Sequence, residues 1–151
     1  MKRMRMALAL TIAAGALALS GCSADPDLGG LESQLAEVDG INGAIADTQH
    51  SGAPWNTATV VLLFLDDASD DGIIKSVRGA APVLADDPAV SRNPVTLIFI
   101  DGDREDYDTR SSALADDVIV TSEVADSLGI ASGAGESLRL TSDDVRRLAG
   151  E

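Results

Sequence analysis

Thr57-Ala58-Thr59-Val60-Val61-Leu62-Leu63-Phe64-Leu65 decides the fold. Its last six residues are all apolar. They are bounded by the turn-forming Ser51-Gly52 and Pro54 on one side and by Asp66-Asp67 on the other. Such a run is too short for a buried helix and fits a strand covered on both faces, at the centre of a sheet. Val95 to Ile100 reads as a second buried strand, and Ile41 to Thr48, which alternates weakly, as a third. Between the first two, Ile73, Ile74, Val77, Ala80, Ala81 and Leu84 form one apolar helical face, with Ser69 as the cap and acids in the first turn. Pro82 inside that pattern predicts a kink or an end to the helix nearby.

Upstream, Leu28, Leu31, Leu35 and Val38 predict a helix over 28–39 that Gly40 closes. Downstream come a short strand at Val118–Thr121, a helix at Ser122–Leu128 and a strand at Ser137–Leu140. Thr141 caps a last helix, with Asp144 at the capping-box position and Val145 and Leu148 facing inward. Polar or acidic loops fall at 49–56, 66–71, 86–94 and 101–108. Over roughly 28–101, the order helix, strand, strand, helix, strand resembles that portion of a ferredoxin-like sandwich. The resemblance implies a single α/β (α+β) domain with helices on one face of a mostly antiparallel sheet, followed by a short strand and helix tail. It also implies that a late strand, near 117–121, takes the place of the missing first strand. Small metal-chaperone domains share this order but rely on a Cys-x-x-Cys pair before the first helix. This chain has one cysteine, so copper or zinc transfer is not implied.

That cysteine, Cys22, closes the run Leu19-Ser20-Gly21-Cys22. Before it stand three cations, Lys2, Arg3 and Arg5, and an uncharged apolar stretch from Met6 to Leu19. The order is that of a secretory signal. The stretch is shorter than the roughly 20 residues that span a bilayer as a helix. Leu19-Ser20-Gly21-Cys22 resembles the lipobox of bacterial lipoproteins at every position. The resemblance implies a diacylglyceryl thioether on the Cys22 sulfur and cleavage before it. Residues 1–21 are then a signal peptide, 22–30 a lipidated flexible tether and 31–151 a single acidic domain. Two acyl chains anchor a protein stably where one is marginal. The expected location is the extracytoplasmic face of the cell membrane, with the bilayer itself as a partner. A tether of about eight residues reaches roughly 15 Å, which keeps the domain close to the membrane.

The chain has 151 residues and a net charge of −14, and loss of the three leading cations takes it to −17. Nucleic acid is excluded as a partner on this reading, because phosphate binding needs clustered Lys and Arg. Aromatics make up only 3% of the chain (Trp55, Phe64, Phe99 and Tyr107), so Val, Ile, Leu and Ala must build the core. With Cys22 acylated no disulfide is available, and stability rests on packing.

Asp101, Asp103, Asp106 and Asp108 space carboxylates along one loop in a way that suits a hard cation such as calcium. The run departs from an EF-hand: Asp106 stands where the turn needs Gly and Ser112 where a bidentate Glu belongs, and Arg104 and Arg110 compete as internal counter-ions. If this loop and 66–71 leave neighbouring parallel strands at one end, their carboxylates converge there. His50, the single histidine, reads as an exposed loop residue, and one His with one acylated Cys cannot close a zinc shell. Trp55 covers a core edge or meets the membrane interface or a partner. No Gly-x-Ser-x-Gly elbow occurs, and Gly129 to Gly135 lacks the Lys and spacing of a phosphate loop. No catalytic residue and no resident cofactor is identified. The expectation is a membrane-anchored binding or accessory domain acting through contacts with a protein partner. The alternative is a divalent-cation-binding or cell-wall-associated module that uses the acidic loops.

Overall fold

The computed structural model describes residues 25–52, 56–130 and 135–150. The lipobox residues Leu19, Ser20, Gly21 and Cys22, and also Trp55, lie outside the described residues. The elements run α1 (Gly29–Leu35), β1 (Ile41–His50), β2 (Thr57–Leu65), α2 (Asp70–Asp86), β3 (Val95–Asp101), α3 (Arg110–Ala113), β4 (Asp117–Val118), α4 (Ser122–Leu128), β5 (Leu138–Leu140) and α5 (Ser142–Ala149). One five-stranded, mostly antiparallel sheet carries the helices, so the chain is a small α+β sandwich.

β2 is the centre that its apolar run predicts, with Val61, Leu62, Leu63 and Phe64 wholly buried. It pairs antiparallel with β1 and parallel with β3. Alternation along β2 sends Val61, Leu63 and Leu65 into the larger core, where Ile73, Val77, Ala80 and Leu84 of α2 meet them. Leu31 and Leu35 of α1, Val124 and Leu128 of α4, and Val145 of α5 complete that layer. Val60, Leu62 and Phe64 point to the other face, under Ile100 and Ala113. This second face is covered by the segment 102–116, with the short α3 lying opposite the other helices.

Two expectations are corrected. The late strands do not fill a gap between β2 and β3, which bond to each other directly; β4 and β5 both sit on the outer edge of β3. The first helix ends at Leu35, not 39, although Gly40 still turns the chain with φ of 91°. Pro82 lies inside α2, which runs one further turn and ends at Asp86, where the 86–94 loop is expected to start. Buried Val77, Ala80, Ala81 and Leu84 flank it and hold the helix together, while the proline ring faces outward. Ser69, Thr121 and Thr141 cap α2, α4 and α5, and the Thr141–Asp144 capping box is formed as expected.

Candidate functional site

β2 and β3 are parallel and Leu65 stands opposite Asp101, so the acidic loops after them do leave one end of the sheet together. Asn42 joins the two loops. Its Nδ2 donates to Asp66 Oδ1 and to the Gly102 carbonyl, each at 3.3 Å, and its Oδ1 accepts the Arg104 N–H at 3.0 Å. Asp67 accepts the Ser69 N–H at 3.0 Å, and hydrogen bonding from Ser69 holds its carboxyl below the ordinary range. Asp70 accepts the Thr121 hydroxyl at 2.7 Å.

Asp101, Asp103, Asp106 and Asp108 are all exposed. Among the described residues, no group of three or more His, Cys, Asp or Glu side chains is placed to hold a metal ion. Arg104 enters the cavity beside Asn42, Asp103 and Asp106, of about 320 Å³, as a built-in cation. Its guanidinium carbon lies 5.6 Å from the Phe64 ring centroid, and Nη1 donates to the Tyr107 carbonyl at 2.7 Å. The Tyr107 ring packs on Phe64, and its hydroxyl donates to Asp116 at 3.1 Å. Burial, with that carboxylate beside it, pushes the Tyr107 phenol above its ordinary pKa. Arg110 reaches out of the loop to Asp47 of β1, at 3.0 Å. Residues 102–116 are therefore a strap that clips the second face of the sheet, fastened by Arg104, Tyr107 with Asp116, and Arg110.

The opposite end of the sheet is different. Of the expected tether, Asp25–Gly30 rests on the domain. Asp25 Oδ1 lies 2.7 Å from His50 Nε2, Leu28 is buried, and α1 begins at Gly29. Two adjoining cavities open here, of about 340 and 330 Å³, sharing Pro26, Asp27 and Thr48. The first is floored by Thr57 and Thr59 and closed by Asp87 and Asn93 of the α2–β3 loop. The second runs along β1 at Ala46, Asp47 and Thr48, under Asp25 and Glu32.

The floor follows from strand alternation. Thr57 and Thr59 continue the face of Val61, Leu63 and Leu65, and Thr48, opposite Thr59, continues that of Ala44 and Ala46. At this end the core-facing positions change from apolar to hydroxyl. Among the described residues Thr48 Oγ1 has no hydrogen-bond partner and no exposed surface, an arrangement that costs about 1–3 kcal/mol. The loop wall is set by Asp87, whose Oδ1 accepts the Ala89 and Val90 N–H groups at 2.9 and 3.2 Å, and by Asn93, which donates to the Ala89 carbonyl at 3.2 Å. Sequence reasoning missed this cleft. The available signal was three threonines at strand positions where the pattern of the core asks for apolar residues.

No helix among the described residues is long and apolar enough to cross a membrane. No protein-family model, curated protein or solved structure matches this chain.

Proposed function

We propose that this chain is a lipoprotein anchored through Cys22 to the extracytoplasmic face of a cell membrane, and that its domain serves binding, with the threonine-floored cleft as its binding face. The single observation that carries the binding role is the pair of adjoining cavities that meet at Pro26, Asp27 and Thr48, at the end of the sheet where core-facing strand positions turn from apolar residues to threonine. The complete Leu19-Ser20-Gly21-Cys22 run supports the anchor. Pro26 and Asp27, four and five positions after Cys22 in the chain, line the cleft wall, so a chain anchored through Cys22 would carry the cleft close to its anchor. A partner protein or small ligand held there is kept within a few residues of the bilayer.

Two measurements test this reading. Mass spectrometry of the protein purified from membranes should show Cys22 as the mature N-terminus with an S-diacylglyceryl group, and Cys22→Ala should abolish the modification and release the chain from the membrane fraction. An unmodified thiol, or another N-terminus, overturns the anchor. A photoreactive residue at Asn93 should form a defined adduct in intact cells, and one at Asp103 should not. An adduct at Asp103 alone moves the binding face to the acidic loops.

A further inference from the structure

We infer that Asn42-Gly43 is a modification site: a place of spontaneous deamidation that the closed strap holds off, and whose product keeps the strap from closing again. The site lies at the opposite end of the sheet from the cleft and does not rest on the binding role.

Asn42-Gly43 is the one Asn-Gly step in the chain. In such a step the following backbone nitrogen can attack the side-chain amide, because glycine has no Cβ to obstruct the approach. The other asparagines are poorly placed for this. Asn56 precedes β-branched Thr57, and Asn93 precedes Pro94, which has no N–H to give up. Two separate packing demands fix the labile pair where it is. Asn42 joins the two acidic loops, with Nδ2 on Asp66 and the Gly102 carbonyl and Oδ1 on the Arg104 N–H. Gly43 must lack a side chain, because Arg104 fills the space of its Cβ. Neither residue can be exchanged for a safer one without loosening the strap.

The same contacts block the reaction. Three hydrogen bonds hold the Asn42 amide, two of them to the strap. Gly43 is buried opposite Phe64. The Ser51 N–H bonds the Asn56 carbonyl, and every second residue back along β1 shares that bonded position, so the Gly43 N–H points to β2. When strap and strand open together, the Gly43 nitrogen gives up its proton and bonds to Asn42 Cγ. The Cγ–Nδ2 bond breaks, and Nδ2 takes up a proton and leaves as ammonia. One water then opens the cyclic imide at either carbonyl, giving aspartate or isoaspartate. Either product disables the joint. Aspartate cannot donate to the Gly102 carbonyl, and it sets a second negative charge against Asp66, which the amide nitrogen meets at 3.3 Å. Isoaspartate carries the side-chain carbon into the backbone and puts Gly43 out of step with Phe64.

Peptide mapping by mass spectrometry, during incubation of the full chain in detergent micelles, tests the inference. Folded wild type should keep Asn42 while the same chain in denaturant converts it, with Asn56 and Asn93 unchanged in both. Arg104→Ala keeps the backbone N–H that Asn42 accepts but uncovers Gly43. It should convert Asn42 about tenfold faster than wild type while still folded, because a reaction of an opened state follows the population of that state. Tyr107→Phe removes only the hydroxyl bond to Asp116, should fall between the two, and carries the test if Arg104→Ala does not fold. NMR of the aged wild-type chain, or of Asn42→Asp, should show the Phe64 and Tyr107 ring signals moved and those of α5 in place. Asp66→Asn should return part of that shift in the Asn42→Asp chain. Conversion in folded wild type as fast as in denaturant overturns the protection. A folded strap variant no faster than wild type overturns the part played by the strap. No conversion in denaturant removes the site, and ring signals unmoved in the aged chain remove its consequence.

Discussion

The side chain of Arg104 occupies the space that a Cβ on Gly43 would fill, with Arg104 Cγ 2.7 Å from that position. β1 can therefore carry no side chain where the strap crosses it. Gly43→Ala should push Arg104 off its place over Phe64 and loosen the strap, costing about 1–3 kcal/mol as overpacking does. Removing the obstacle should restore much of the loss. In a double-mutant cycle measured by denaturant unfolding, Gly43→Ala should cost less in an Arg104→Ala background, with a coupling of about 1 kcal/mol or more. Additive effects would show that the strap does not press on β1 in solution.

Thr48→Val replaces an unpartnered, water-excluded hydroxyl with a methyl of nearly the same shape. Both residues are β-branched, so strand preference is kept. The variant should be about 1 kcal/mol more stable, the cost of the orphaned group being relieved. A rise of a few degrees in Tm by calorimetry is expected. No change, or a fall, would mean that the hydroxyl finds a partner.

Pro82 leaves the Arg78 carbonyl without its helical donor, at an exposed position inside α2. Proline in a helix interior is about 3 kcal/mol worse than alanine. Pro82→Ala should raise stability by about 1–3 kcal/mol, part of the gain being offset by a freer unfolded chain. Destabilisation would show that the ring itself packs against a neighbour.

Asp144 supplies a pH signature. Burial alone would raise its pKa, but hydrogen bonds from the Thr141 hydroxyl and N–H and the nearby Arg147 guanidinium outweigh that and lower it. A carboxyl whose folded pKa is depressed contributes stability above its unfolded value, near about 3.9, and loses that contribution as pH falls through the folded value. Wild type should therefore exceed Asp144→Asn by about 1 kcal/mol above about pH 5, the scale of a cap. The gap should close as the pH drops below about 4. Thermal unfolding of both chains from pH 3 to pH 7 checks this; a gap independent of pH would place the loss in geometry, not charge.

What the sequence made legible was local. The Val60–Leu65 run, the α2 face and the Thr141–Asp144 box each act within a few residues, where periodicity and capping chemistry are read directly. Pro82 is tolerated one turn before the end of α2 because the buried residues flanking it outweigh its local penalty. The order of the late strands, and the strap, depend on partners far apart in the chain: Asn42 with Arg104, Gly43 with Arg104, Asp47 with Arg110. No spacing announces those pairings. The acidic loop was visible as a charge pattern, yet its internal Arg104 and Tyr107 turned out to be fasteners of the sheet. The cleft was hidden for a related reason. Thr48, Thr57 and Thr59 are unremarkable in a strand until the register places all three on the core face.

The proposed anchor fixes which end of the domain faces the bilayer. Asp25 stands three positions after Cys22, a reach of at most about 11 Å in any conformation. Asp25 is paired with His50, which stands opposite Thr57 at the start of β2. β2 then runs about 25 Å to Leu65, beside Asp101. The cleft should lie next to the membrane and the acidic loops on the far side, beyond the roughly 8 Å over which anionic head groups repel them at physiological salt. With Cys22 acylated, a cysteine introduced at Asn56 or Asp103 is the single free thiol, so a fluorophore can be attached at either end. In vesicles with a head-group quencher, the Asn56 probe should be quenched several-fold more strongly than the Asp103 probe. His50→Ala should narrow that difference by freeing the segment that leads from the anchor, with little change in stability, since an exposed pair is worth about 0–1 kcal/mol. Equal quenching at both ends in the wild-type chain would mean that the Asp25–His50 contact does not orient the domain.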